Sequence, residues 1–124
     1  MNARSILLTG AALLFSVASS AQESAGRYMA KPLKGDYYLF GGSLGEKTLP
    51  TPKDRKLSLM VTGPLAKDLF EHMGPDLKDA CGAGPSHRER SRGDLVCVWT
   101  KEDGHACYIG LDIRTGKSMI GVIC

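Results

Sequence analysis

The sequence of 124 residues lacks several short motifs that mark common enzyme classes. It contains no zinc-binding H-E-x-x-H, no phosphate-binding G-x-x-x-x-G-K-[ST] and no dinucleotide-binding G-x-G-x-x-G. It also lacks a Cys-x-x-Cys pair, the spacing typical of structural zinc sites and thiol-exchange enzymes. We therefore predict no metal site, no cofactor and no catalytic residue.

A strong excess of one charge is also missing. The 16 Lys and Arg residues stand against 13 Asp and Glu, which gives a formal net charge of +3. Dedicated nucleic-acid binders carry a much larger basic excess, because they must neutralise several phosphates. We therefore predict no nucleic-acid partner.

Long apolar runs are confined to the N-terminal stretch, which has the layout of a secretory signal peptide. Arg4 supplies a positive start, residues 6–17 an apolar segment, and residues 17–21 a small-residue cleavage site. The apolar segment is too short to span a bilayer, and no second one follows. We predict that residues 1–21 are removed near Ala21, and that the mature chain has no transmembrane segment. The protein is then periplasmic or secreted.

The four cysteines are Cys81, Cys97, Cys107 and Cys124. An even number of cysteines in an exported chain is most simply two structural disulfides, formed in an oxidising compartment. A domain of about a hundred residues with many Gly and Pro has a limited core and benefits from such bonds.

The chain divides into an arm and a compact domain. Residues 22–55 are rich in Gly, Pro, Lys and Ser and predict an extended N-terminal arm, in which residues 37–40 are the candidate for one short strand. In the compact part, residues 56–124, apolar residues first alternate as in a strand. Pro64 then begins an amphipathic helix of about ten residues.

The end of the chain predicts a three-stranded antiparallel meander. Its apolar segments are residues 95–99, 106–113 and 118–124, separated by turn sequences at Asp103-Gly104 and Thr115-Gly116. The predicted fold class is thus α+β: a small disulfide-stapled domain with one strand, one amphipathic helix and then the meander. The polar residues between the helix and the meander are predicted to form a long loop.

The register of the last hairpin decides the disulfide pairing. A two-residue turn at Thr115-Gly116 places Cys107 opposite Cys124 and leaves Cys81 to pair with Cys97, which is the pairing we prefer. In the alternative, Asp112 caps a longer turn ending in Gly116 at positive φ, and this turn separates Cys107 from Cys124. Three connectivities are formally possible.

Two groups of residues are candidates for contact with a partner: Tyr37, Tyr38 and Phe40, and the basic Arg88, Arg90 and Arg92. Aromatic side chains stabilise interfaces at low entropy cost, and clustered arginines recognise anions or acidic protein surfaces. No pattern surrounds any of the three histidines with the groups that a nucleophile and its base require.

The leading hypothesis is a protein-binding module. In size, export signal and disulfide use, the chain is similar to small bacterial envelope proteins such as periplasmic lysozyme inhibitors and immunity proteins, a likeness of class that involves no specific residues. The expected partner is another envelope or secreted protein, with inhibition of an enzyme as one form of the activity. The alternatives are a structural envelope component, and a small hydrolase or redox enzyme using His105 and an unpaired cysteine.

Overall fold

The computed structural model describes residues 28–124. The predicted signal peptide and its cleavage site near Ala21 lie outside the described residues. Lys31–Cys124 form one compact unit, which includes residues 31–55 of the predicted arm. The elements are strands β1 (Gly35–Phe40) and β2 (Lys56–Thr62), helix α1 (Gly63–His72), and strands β3 (His87–Arg92), β4 (Leu95–Thr100), β5 (Gly104–Asp112) and β6 (Ser118–Met119).

All strand pairs are antiparallel and form one sheet in the order β1-β2-β5-β4-β3, with β6 also paired to β5. The prediction of an α+β domain with one helix, an antiparallel sheet and two disulfides is confirmed. The predicted meander is wrong in one respect, because β4 and β6 do not lie on opposite sides of β5. Strand β2 pairs with one side of β5, and β4 and β6 pair with successive parts of the other side. The seven apolar-rich residues of β2 form a longer ladder with β5 than the short segment β6 does.

Helix α1 begins directly after β2 and packs on one face of the sheet. Gly63 makes the sharp bend with φ of +69°, and Pro64 occupies the first turn, where its missing N–H costs nothing. The buried cluster between the helix and the sheet contains Val61, Ala66, Phe70, Met73, Cys97 and Cys107. This core is small, which agrees with the need for covalent cross-links.

The C-terminal residues cross the opposite face of the sheet. Ser58 is buried there, and its hydroxyl donates a hydrogen bond of 2.5 Å to the carbonyl of Gly121. A Cβ on Gly121 would lie 2.5–2.8 Å from backbone atoms of Ile109 and Gly110, so only glycine permits this crossing. The sheet is therefore covered by the helix on one face and partly by the tail on the other.

The disulfides are Cys81–Cys124 and Cys97–Cys107, so the preferred pairing is wrong. The alternative turn is the one that forms: Gly116 has φ of +72°, and Asp112 accepts hydrogen bonds from the N–H groups of Arg114 and Thr115. Leu111 consequently faces Ser118 instead of Ile120, which carries Cys124 past Cys107. Cys97 and Cys107 lie directly opposite each other on β4 and β5, with Cα atoms 4.0 Å apart.

The basic string, predicted as part of a long loop, forms strand β3 instead. It pairs with β4 in full register from His87 opposite Thr100 to Arg92 opposite Leu95. Its residues lack apolar alternation, so the strand depends on contacts made by its arginines, which are described below.

Candidate functional site

The backbone of β1 forms an open edge of the sheet. The N–H of Thr62 donates to the carbonyl of Lys34 at 3.0 Å, which fixes which positions of β1 bond to β2. Because these positions alternate in an antiparallel pair, Gly35, Tyr37 and Leu39 direct their N–H and C=O groups away from the sheet. Among the residues that the structure describes, no backbone group bonds to these three positions from outside.

The chain itself closes the open edge at its Gly41 end. Gly41 and Thr48 exchange backbone hydrogen bonds of 2.8 and 3.2 Å, so the outer side of Gly41 is occupied. Continued pairing would place Pro50 opposite Leu39, and proline has no N–H to donate. The segment turns back into β2 instead, through the bonds between Thr51 and Asp54.

Apolar side chains accompany this open edge. Tyr37 is 66% exposed and Leu39 is 43% exposed, and both project from the face that carries the helix, beside Leu59 and Leu57. Tyr38 is 55% exposed on the opposite face. Natural edge strands are normally protected by lysine, proline or a covering segment, so an exposed apolar edge is an unusual feature in a small domain.

Phe40 is placed differently from the other two aromatic candidates. Its side chain is only 2% exposed, so it belongs to the core and does not contact a partner in this fold. The ammonium group of Lys56 lies 5.9 Å from the centre of its ring. The sequence did not distinguish Phe40 from Tyr38, because alternate residues of a strand share a face and only the neighbouring segments decide which of them is buried.

The other edge strand, β3, is partly paired along its outer side, where His87 exchanges backbone hydrogen bonds with Gly84. The N–H of Leu77 donates to the outward carbonyl of Glu89 at 2.8 Å. Because β1 and β3 lie at opposite edges of the sheet, the structure does not bring the aromatic and the arginine candidates together.

Two of the three candidate arginines, Arg88 and Arg90, are hydrogen-bonded to other residues of the chain. Nε of Arg88 and Nε of Arg90 each donate to the carboxylate of Asp76 at 2.7 Å. Arg90 also donates to the carbonyl of Phe70 at 2.8 Å, and its guanidinium lies 4.3 Å from the centre of the Phe70 ring. These hydrogen bonds lower the pKa of Asp76 to about 2. Arg92 is exposed.

A small cavity of about 210 Å³ adjoins β1 on the face of Tyr38. Its lining includes Asp36, Tyr38, Lys47, Met60, Tyr108 and Val122. The ammonium group of Lys47 lies 4.8 Å from the centre of the Tyr38 ring, and burial raises the pKa of Tyr108. The rim of the open edge thus carries one carboxylate and one ammonium group beside an aromatic ring.

The residues considered for catalysis are not arranged for it. All four cysteines are in disulfides. The three histidines lie on three different elements, and His105 packs edge-on against Phe70 at 5.1 Å, where burial lowers its pKa. No group of three or more His, Cys, Asp or Glu side chains that could hold a metal occurs within residues 28–124.

Residues 41–45, G-G-S-L-G, satisfy the letters of the hydrolase pattern G-x-S-x-G. That pattern requires a strand, a sharp turn and then a helix that begins at the serine. Ser43 instead lies in a turn, where its Oγ accepts a hydrogen bond of 3.3 Å from the N–H of Glu46, and the next helix begins at Gly63. The match is therefore one of letters only.

No helix in the described part of the chain is long and apolar enough to cross a membrane. Comparisons with protein-family models, with characterised proteins and with solved structures found no match. The geometry of the β1 edge therefore provides the basis for assigning a function.

Proposed function

We propose that the chain is an exported protein-binding module that docks an extended segment of its partner along β1. Addition of a strand to a sheet edge uses main-chain hydrogen bonds for affinity and alternate side chains for specificity. The observation that carries the proposal is the open edge at Gly35, Tyr37 and Leu39, which is flanked by exposed apolar side chains.

The partner that we propose is another envelope or secreted protein, met in the periplasm or outside the cell after removal of residues 1–21. Two disulfides indicate an oxidising compartment. Inhibition of an envelope or secreted enzyme is the form of this activity that best fits a small cross-linked domain, because a rigid edge loses little entropy on binding.

The two alternatives have weaker support. A structural envelope component would need an arm that orders on assembly, whereas residues 31–55 already belong to the compact unit. A hydrolase or redox enzyme based on His105 and a free cysteine would need a thiol, and the four sulfur atoms are paired.

The test compares one substitution at the two edges of the sheet. Tyr37→Pro removes an outward N–H of β1 and leaves the hydrogen bonds between β1 and β2 in place. Ser91→Pro makes the matched change at an outward position of β3. Each tagged protein, with its disulfides formed, is used to capture partners from envelope and secreted fractions of its source, and the partners are identified by mass spectrometry.

We expect one stoichiometric partner for the wild type and for Ser91→Pro, and binding weakened by at least about tenfold for Tyr37→Pro. If the partner is an enzyme, its activity is then measured with each variant. Equal binding by all three proteins would show that β1 is not the docking site.

A further inference from the structure

We propose that the open edge of β1 also pairs with β1 of a second copy of the chain, which forms a two-fold symmetric dimer with one continuous sheet. This inference rests on the proposed function only in that both use the open edge of β1.

The free backbone groups of β1 are symmetric about Tyr37. Antiparallel pairing centred on Tyr37 places this residue opposite Tyr37 of the second copy. It also places Gly35 of each copy opposite Leu39 of the other copy. Every outward N–H and C=O of these three positions then has a partner. A centre at Leu39 would require the outer groups of Gly41, which already bond to Thr48.

The side chains on the helix-bearing face fit the same register. The two Tyr37 rings lie across from each other, a cross-strand aromatic pair of the kind that stabilises antiparallel ladders. Leu39 lies across from Gly35, which has no side chain and so leaves room for the neighbouring rings. The exposed apolar surface of Tyr37 and Leu39 is thereby partly covered.

Charge complementarity on the opposite face identifies a second copy as the occupant. In this register Asp36 lies directly across from Tyr38 of the second copy. The ammonium group of Lys47 lies 4.8 Å above that Tyr38 ring, so it approaches the Asp36 carboxylate of the first copy. Symmetry makes this ion pair twice, whereas a single chain has no ion pair between its own Asp36 and Lys47 within 4.0 Å.

The experiment measures self-association by sedimentation velocity from about 5 to about 500 μM, since an interface of one short strand is small and its dimer weak. The protein is expressed from the full coding sequence and purified with both disulfides formed. The variants are Tyr37→Pro, Asp36→Lys and Lys47→Asp, and Glu102→Lys in an exposed turn is the charge-matched control for Asp36→Lys. Circular dichroism verifies that each variant is folded.

The two charge variants give the sharpest test when they are mixed. Alone, Asp36→Lys brings two lysines together across the dimer and Lys47→Asp brings two aspartates together, so each is expected to be monomeric. Mixed in equal amounts they restore an opposite-charge pair at both places, and a heterodimer is expected. A contact within one chain would not be restored by mixing.

Dimers of the wild type and Glu102→Lys, together with loss in the three variants and recovery in the mixture, support the proposal. A wild type that is monomeric at about 500 μM, or a dimer that persists in Tyr37→Pro, overturns it. A monomeric wild type that still captures an envelope partner through β1 overturns the dimer alone and leaves the proposed function standing.

Discussion

At the scale of single residues, Asp76 joins three parts of the molecule. Its carboxylate accepts hydrogen bonds from Arg88 and Arg90 on β3, and Arg90 in turn binds the carbonyl of Phe70 on the helix. The pKa of Asp76, about 2, lies below its ordinary value of 3.8 because the two arginines stabilise the charged form. The carboxylate therefore stabilises the fold fully above about pH 4.

The first prediction is that this contribution is lost as the pH falls from about 4 towards 2, where Asp76 is protonated. The free energy of unfolding should fall more steeply over this range in the wild type than in Asp76→Asn. Urea titrations at several pH values measure the difference. Glu102→Gln, which removes an exposed turn carboxylate, is the control and should follow the wild type. Parallel curves for the wild type and Asp76→Asn would contradict the role of this carboxylate.

The second prediction concerns Phe70, which is 2% exposed and contacts His105 and the guanidinium of Arg90. Phe70→Ala should lower the free energy of unfolding by about 3–5 kcal/mol, because it leaves a cavity in a small core. Leu65→Ala, at a helix position that is 44% exposed, should cost less than about 1 kcal/mol. Urea denaturation measures both, and a similar cost for the two would mean that Phe70 is not central to the core.

At the scale of elements, the two disulfides act on different parts of the fold. Cys97–Cys107 joins neighbouring strands inside the core, whereas Cys81–Cys124 ties the connection after the helix to the tail that crosses the sheet. The second bond closes the longer loop, with a separation of 43 residues against 10. It therefore restricts the unfolded chain more strongly.

The third prediction is that Cys81→Ser combined with Cys124→Ser lowers the free energy of unfolding by about 4 kcal/mol and the Tm by about 20 °C. Residues 120–124 should also become sensitive to carboxypeptidase in the folded protein. Scanning calorimetry and mass spectrometry of the digest measure the two effects. A variant whose free energy of unfolding lies within about 1 kcal/mol of the wild type would contradict the arrangement. So would a disulfide between Cys81 and Cys97 in a tryptic digest of the wild type that is made without reduction.

The elements also differ in how far the sequence predicted them. The helix followed from Pro64 and the spacing of apolar residues, which are local signals. The strand at His87–Arg92 did not, because it has no apolar alternation and its Arg90 contacts Phe70 and Asp76, which are distant in the sequence. The disulfide pairing depended on one turn, where both alternatives at Gly116 obeyed local rules and the observed one shifts the register by two residues.

The candidate site was predicted only in part. The apolar island at residues 37–40 indicated a short strand, and Tyr37 and Tyr38 are exposed. The sequence does not reveal which backbone groups of a strand point outward and remain unpaired. This depends on the pairing of β1 with β2 and on the backbone hydrogen bonds between Gly41 and Thr48. It also does not reveal that Arg88 and Arg90 already bind Asp76.

At the scale of the whole molecule, the sheet has a well-bonded centre and two unlike edges. Strand β5 is hydrogen-bonded along both sides, β3 is partly paired along its outer side by Gly84 and Leu77, and β1 is bonded to β2 along one side only. The stability of backbone hydrogen bonds should therefore differ greatly from strand to strand.

The fourth prediction is an alternation of amide hydrogen exchange along β1, measured by NMR. The amides of Asp36 and Tyr38 bond to β2 and should exchange at least about tenfold more slowly than those of Tyr37 and Leu39, which point outward. Amides of β5 should be the slowest. At high protein concentration Tyr37 and Leu39 should gain protection, and uniform exchange along β1 would contradict the assigned edge.

The central pairing of β2 with β5 also determines how the chain must fold. It joins residues that are 44 to 56 positions apart, from Thr62 opposite Ala106 to Lys56 opposite Asp112. Pairings of such high contact order form slowly, because the entropy of closing a long loop is lost before the contacts are gained. Until then the side of β2 that pairs with β5 has unpaired backbone groups beside apolar side chains, so during folding this side is exposed to aggregation and to capture by a chaperone.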